Sequence, residues 1–140
     1  MNEIYETVML IFCRLVKTEV ITYKSYKQEF MELTLKQKIA ILFALKNMML
    51  ADGVVDSHEM DFINKVCQMM KVGQAEFDAA VQMSETEAKS IFQTMTQEQK
   101  NLLSYLLQDM ARADGHVDDC EKTYWTKLNG ELKFTNLASI

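Results

Sequence analysis

Apolar residues recur every three or four positions along most of the chain, as one buried face of an amphipathic helix requires. This spacing predicts two N-terminal helices, within residues 4–16 and 20–33. It resumes after Thr34 and again after Thr96, each of which starts a Thr-x-x-Gln string typical of a helix capping box. Shorter apolar patterns between these two strings predict further helices, so the chain should be helical throughout.

One acidic string occurs twice. Asp-Gly-x-Val-Asp-x-x-Glu runs from Asp52 to Glu59 and returns 62 residues later, from Asp114 to Glu121. Because the Thr-x-x-Gln strings repeat at the same offset, each repeat unit should be a long helix, a tight turn and a shorter helix. We predict two such αα-hairpins, at about 34–71 and 96–130.

Composition supports this all-α interpretation. The 140 residues contain no proline and four glycines, and 49% of them are hydrophobic, which suffices for one domain to bury a core. We therefore predict a single domain over residues 1–140, a bundle of about seven helices built from the two hairpins and the N-terminal helices within 1–33. The first long helix should run to about Ala51. Gly53 should end this helix as a C′ residue in the left-handed conformation. Residues 130–140 show no clear pattern and should fray.

Charge and cysteine content narrow the class of protein. A net charge of −5 argues against a nucleic-acid partner, because phosphates require clustered Lys and Arg. The longest apolar run, Ile39 to Leu45, is too short to span a membrane, and the acidic N-terminus does not resemble an export signal. Three widely spaced cysteines form no Cys-x-x-Cys pair, so a cytoplasmic location is expected.

The acidic string matches only the second half of an EF-hand loop. The first half lacks oxygen ligands. The positions that need calcium ligands are occupied by Met48 and Leu50 in one copy and by Met110 and Arg112 in the other. An ordinary EF-hand is therefore excluded. Two explanations of the acids stay open, namely helix capping and cation binding.

Capping explains four of the six acids. Asp56 and Asp118 are predicted N-caps, and Glu59 and Glu121 should close capping boxes. The other two acids, Asp52 and Asp114, should lie at helix C-termini, where the helix dipole disfavours an anion. They therefore need a compensating amide, lysine or cation. A divalent metal ion, Ca, Mg, Mn or Zn, would compensate them, with the following candidate ligands: Asp52, Asp56, Glu59, Asp114, Asp118 and Glu121.

Other chemistry has less support. His58 and Cys120 occupy equivalent repeat positions and could approach as a zinc site, although exposed, solvated side chains are the commoner case. No catalytic triad order, phosphate-binding glycine loop or His-Glu-x-x-His string is present, so an enzyme is not expected. The eleven methionines fit core packing better than an adaptable binding groove.

With the preceding alanine included, the strings Ala51 to Glu59 and Ala113 to Glu121 resemble the TerB-like family of tellurite-resistance proteins. The resemblance covers about Thr34 to Leu128. It implies an all-helical fold with halves related by duplication, acidic residues gathered into a metal-binding face, and a place in stress-response and membrane-linked complexes. The expected function is a non-enzymatic stress-response or scaffold module with a protein partner. The alternative is an interaction domain that binds no metal and whose acids only cap helices.

Overall fold

The computed structural model describes residues 30–113, 115 and 117–135. These residues form six helices and no β-strand, and residues 30–32 are also helical. The helices are α1 (Leu35–Met49), α2 (Ser57–Met70), α3 (Gln74–Gln82), α4 (Glu85–Phe92), α5 (Gln97–Ala111) and α6 (Asp119–Leu132). The predicted all-α class is confirmed, whereas the predicted N-terminal helices, apart from residues 30–33, lie outside the described residues.

Both long helices begin at the predicted capping boxes. The Thr34 hydroxyl accepts a hydrogen bond from the Gln37 N–H at 3.1 Å, and the Gln37 side chain accepts one from the Thr34 N–H at 3.0 Å. Thr96 and Gln99 make the same two bonds at the same distances. Because each box satisfies donors that the helix itself cannot, it fixes where α1 and α5 start.

The repeat is visible in the backbone. The bounds of α5 and α6 are those of α1 and α2 displaced by 62 residues (35 to 97, 57 to 119). Lys71 and Lys133, which cap α2 and α6, both adopt the left-handed conformation, with φ of 58° and 57°. These matches agree with the predicted helix-turn-helix units, and their origin by duplication stays a prediction.

Helix α1 lies at the centre of the described fold and contacts all five other helices. Ala40 and Ala44 are fully buried on it, and their small side chains let neighbouring helices approach closely. The units also interlock, because α2 packs against α5 and α6 packs against α1. One apolar core therefore serves both halves.

Most methionines among the described residues, and the tryptophan, belong to this core, as predicted. Buried methionines include Met48, Met49, Met69, Met70, Met95 and Met110. Trp125 is buried, and its indole N–H donates to the Ser104 hydroxyl at 3.3 Å, which also accepts from the Gln108 amide at 2.9 Å. This polar network fixes how α6 docks on α5.

The expectation of fraying from residue 130 is wrong for residues 130–135. Helix α6 continues to Leu132, and Phe134 is buried with its ring 6.0 Å from that of Trp125. Asn101 binds both the hydroxyl and the N–H of Thr135, at 2.7 and 2.9 Å. These partners are distant in sequence, so no local pattern shows that the segment is docked.

Candidate cation site and an adjoining cleft

The first acidic turn begins earlier than predicted. Helix α1 ends at Met49 with Leu50 as its C-cap, so Gly53 is not the C′ residue. Gly53 instead lies within the turn at φ +79°, and its N–H donates to the Leu50 carbonyl at 3.0 Å. The left-handed conformation was predicted correctly, but it closes the turn and not the helix.

Asp52 lies in this turn, and not in the last turn of α1. Its carboxylate accepts a hydrogen bond from the Val54 N–H at 2.9 Å, the arrangement of an Asx turn. Asp52 is exposed, and it lies beyond the C-cap, where the helix dipole acts weakly. The Val54 N–H therefore supplies part of the compensation that the sequence predicts for the negative charge of Asp52.

Asp56 is the N-cap of α2, as predicted. Its carboxylate accepts from the His58 N–H at 2.7 Å and lies 3.2 Å from the His58 ring Nδ1. The His58 N–H is the main cause of the lowered pKa of Asp56, and the Glu59 N–H adds to it. The acid is thus held ionised by the helix that it caps.

Asp118 caps α6 in the full predicted capping box. It accepts from the Glu121 N–H at 2.9 Å, and the Glu121 carboxylate accepts from the Asp118 N–H at 3.4 Å. The Glu121 N–H is the largest cause of the lowered pKa of Asp118, and the neighbouring Asp52 carboxyl group also lowers it. The fold therefore places an acid of the first turn beside an acid of the second.

The two glutamates of the repeats are buried at 6% and 5% exposure, for Glu59 and Glu121 respectively. A buried carboxylate is stable only with hydrogen bonds or positive charge around it. Their burial places both side chains behind the exposed turns, on the side facing the core.

The donor chemistry of the paired aspartates fits a hard divalent cation, because both offer carboxylate oxygens. Within the described ranges, no group of three or more His, Cys, Asp or Glu side chains is arranged to hold a metal. Asp114 and His116 lie outside those ranges. His58 and Cys120 are both exposed and belong to no such group there, so the zinc arrangement finds no support.

The family of the chain is established by comparison with known proteins. The family model described as tellurite resistance protein TerB matches residues 6–82, more than half of the chain. The chain belongs to the TerB family. No curated protein and no solved structure matches it.

The residues that the family model matches, 6–82, differ from those of the resemblance seen in the sequence, about 34–128. The match includes the first acidic turn and most of the N-terminal segment, which the two motifs alone do not reach. The second turn lies beyond the match. No helix in the described part of the chain combines the length and apolar character that crossing a membrane requires.

A cleft of about 330 Å³ adjoins the first turn, and the motifs do not predict it. Its apolar residues include Phe43 on α1, Phe92 on α4 and Leu128 on α6, and Leu50 at its edge is 44% exposed. Ion pairs between α4 and α6 border it, with Lys127 2.7 Å from Glu85 and Lys89 3.2 Å from Glu131. The sequence places Glu85 four residues before Lys89 and Lys127 four before Glu131, a spacing that predicts pairs within each helix and not the observed pairs between α4 and α6.

Tyr124 and Asn47 line the same cleft. Burial raises the pKa of Tyr124 to about 12, against the opposing effect of a side-chain hydrogen bond with Asn47. The phenol is therefore neutral at physiological pH and serves as a hydrogen-bonding group in the cleft wall.

Proposed function

We propose that this member of the TerB family is a non-enzymatic stress-response or scaffold module that binds a divalent cation between its two acidic turns. The observation that supports this is the pairing of Asp52 with Asp118. The remaining predicted ligands, Asp56, Glu59, Asp114 and Glu121, belong to the same two acidic strings, Asp52 to Glu59 and Asp114 to Glu121.

The pairing supports cation binding because two ionised carboxylates that lie close together repel each other unless a proton or a cation lies between them. Backbone amides already favour the ionised form of Asp118. Near neutral pH a cation is therefore the better bridge. Capping alone does not require the two turns to meet.

The donor type narrows the cation. Carboxylate oxygens suit Mg²⁺, Ca²⁺ and Mn²⁺, whereas zinc sites usually include imidazole or thiolate. Mg²⁺ commonly keeps several waters and uses one or two carboxylates, which two aspartates can supply. Of the four metals considered, Zn²⁺ is thus the least suited to this pair.

The test is the melting temperature of the full chain, stripped with a chelator and then titrated with each metal. Binding to the folded state stabilises it by about 2.7 kcal/mol when the free metal is 100 times Kd. We expect Mg²⁺, Ca²⁺ or Mn²⁺ to raise the melting temperature by several degrees. If none of the four metals changes it at millimolar concentration, the proposal fails.

Asparagine variants separate ligand binding from folding. Asp118→Asn keeps an N-cap acceptor, and Asp52→Asn keeps an oxygen for the Val54 N–H, so both variants should fold. Each should abolish most of the metal-induced shift, while Glu98→Gln on the exposed first turn of α5 should retain it. An equal loss in the Glu98→Gln control would indicate a nonspecific charge effect.

A protein-interaction role without metal is the alternative, and the cleft with its exposed edge favours it. It predicts normal partner binding by the Asp52→Asn variant. The choice between the two functions therefore rests on whether removing the Asp52 charge changes metal binding or leaves partner binding as it was.

A further inference from the structure

Two uncharged polar side chains lie beside the apolar floor of the cleft between α1, α4 and α6. Tyr124 of α6 and Asn47 of α1 both line the cleft, and both are partly buried. A phenol and an amide together offer more hydrogen-bond donors and acceptors than one bond between them uses. Both side chains can therefore also bind a polar group that enters the cleft.

The other repeat lacks this polar pair. At the offset of 62 residues, Phe62 stands in the place of Tyr124, and Asp109 in the place of Asn47. Phe62 is 4% exposed and belongs to the core. Since a phenylalanine packs well at the equivalent position, packing does not require the Tyr124 hydroxyl, which leaves that group for another purpose.

The charged residues that line the cleft cancel one another. Lys127 lies 2.7 Å from Glu85. Lys89 lies 3.2 Å from Glu131, so the lining carries no net charge. A charged ligand would have to separate one of these ion pairs or lie on the apolar floor without a counter-ion, and both cost free energy. The lining therefore favours an uncharged ligand.

The floor and the volume of the cleft define the rest of the ligand. Phe43 and Phe92 are both buried and contribute two aromatic side chains to the floor. Aromatic rings pack favourably against such side chains. The cleft volume of about 330 Å³ is at the lower end of the roughly 300–1,000 Å³ of small-molecule sites, which suits a ligand of one or two rings.

We propose that this cleft binds a small uncharged aromatic molecule that carries a hydroxyl or amide group. The ring would lie against Phe43 and Phe92. The polar group of the ligand would bind to Tyr124 and Asn47. None of the predicted cation ligands lines the cleft, so this site goes beyond the proposed function and does not depend on it.

Amide chemical shifts of the full chain, measured by NMR with a chelator present, test the site without any metal. Four probes share one ring, namely 4-methylphenol, toluene, 4-methylbenzoate and 4-methylbenzylammonium. We expect 4-methylphenol to shift the amides of α1, α4 and α6 around the cleft, with a Kd of about 1 mM or below. Toluene should bind about fivefold more weakly because it makes no hydrogen bond. The two ions should bind about tenfold more weakly or worse.

A single substitution connects the hydroxyl of the probe to the hydroxyl of the protein. Tyr124→Phe keeps the ring and removes the phenol oxygen, so it should reduce the affinity for 4-methylphenol to that for toluene. The affinity for toluene itself should stay the same. Tyr105→Phe, which removes a phenol oxygen from α5 outside the cleft lining, is the matched control and should change neither affinity.

Three results would overturn the proposal. The first is an absence of shifts around the cleft at about 5 mM 4-methylphenol. The second is 4-methylbenzoate binding as tightly as 4-methylphenol, which would contradict the uncharged class. The third is an equal loss of both affinities in Tyr124→Phe, which would assign its hydroxyl to structure alone. If N-acetyltyrosinamide bound where 4-methylphenol did not, the cleft would belong to a side chain of a protein partner instead.

Discussion

Asp118 shows how one residue serves two purposes. As N-cap of α6 it accepts the Glu121 N–H, and as a neighbour of Asp52 it joins the two acidic turns. The first role involves residues three positions apart and was predictable from sequence. The second joins residues 66 positions apart (52 to 118), and only the packing of the helices shows it.

The lowered pKa of Asp118 predicts how it contributes to stability as pH changes. Its folded pKa lies below the ordinary 3.8, so its stabilising effect is complete above that value and is lost as pH falls through the folded pKa. Asp118→Asn keeps the cap but cannot titrate. Urea unfolding between about pH 3 and 7 should show wild type losing stability relative to this variant only in the acidic part of the range. A difference that stays constant with pH would contradict the assignment.

At the scale of helices and turns, prediction succeeded where the signal was local. The Thr34 and Thr96 boxes, the Asp118 box and the left-handed Gly53 follow from residues within three positions of one another. Where two neighbouring residues could fill the same role in a cap or a turn, the sequence did not decide between them. Asp56 accepts mainly from the His58 N–H, whereas the predicted capping box would make the Glu59 N–H its main donor. Similarly, α1 ends before Ala51 because the turn takes four residues, Leu50 to Gly53.

The matching boxes predict matching energetics. Thr34→Ala and Thr96→Ala each remove a hydroxyl that accepts an orphan helix N–H, and each should cost about 0.5–2 kcal/mol of unfolding free energy. The two costs should agree within about 0.5 kcal/mol, because the bond lengths of the boxes are the same. Chemical denaturation measures both, with Thr→Ser at each site as the control that keeps the hydroxyl. Unequal costs would show that the two repeats do not use their caps alike.

For the whole molecule, the class of fold was predictable and the arrangement was not. Periodicity and lack of proline predict helices, but the central place of α1 depends on which apolar faces meet in space. The cleft is a consequence of that arrangement, since α1, α4 and α6 all contribute to it. The acidic pair likewise required α2 to pack on α5 and α6 on α1.

The end of the described chain is a test of that arrangement. Phe134 is 3% exposed and packs against Trp125, and the Asn129 side chain accepts its N–H at 3.1 Å. Phe134→Ala should therefore cost about 3–5 kcal/mol, a large part of the roughly 5–15 kcal/mol that stabilises a typical domain. Phe134→Leu keeps most of the apolar volume and should cost less than about 1.5 kcal/mol. Both are measured by urea unfolding. A cost below about 1 kcal/mol for the alanine variant would mean that the segment frays, as its sequence alone had indicated, and that α6 is held on α5 by Trp125 and Leu128 without it.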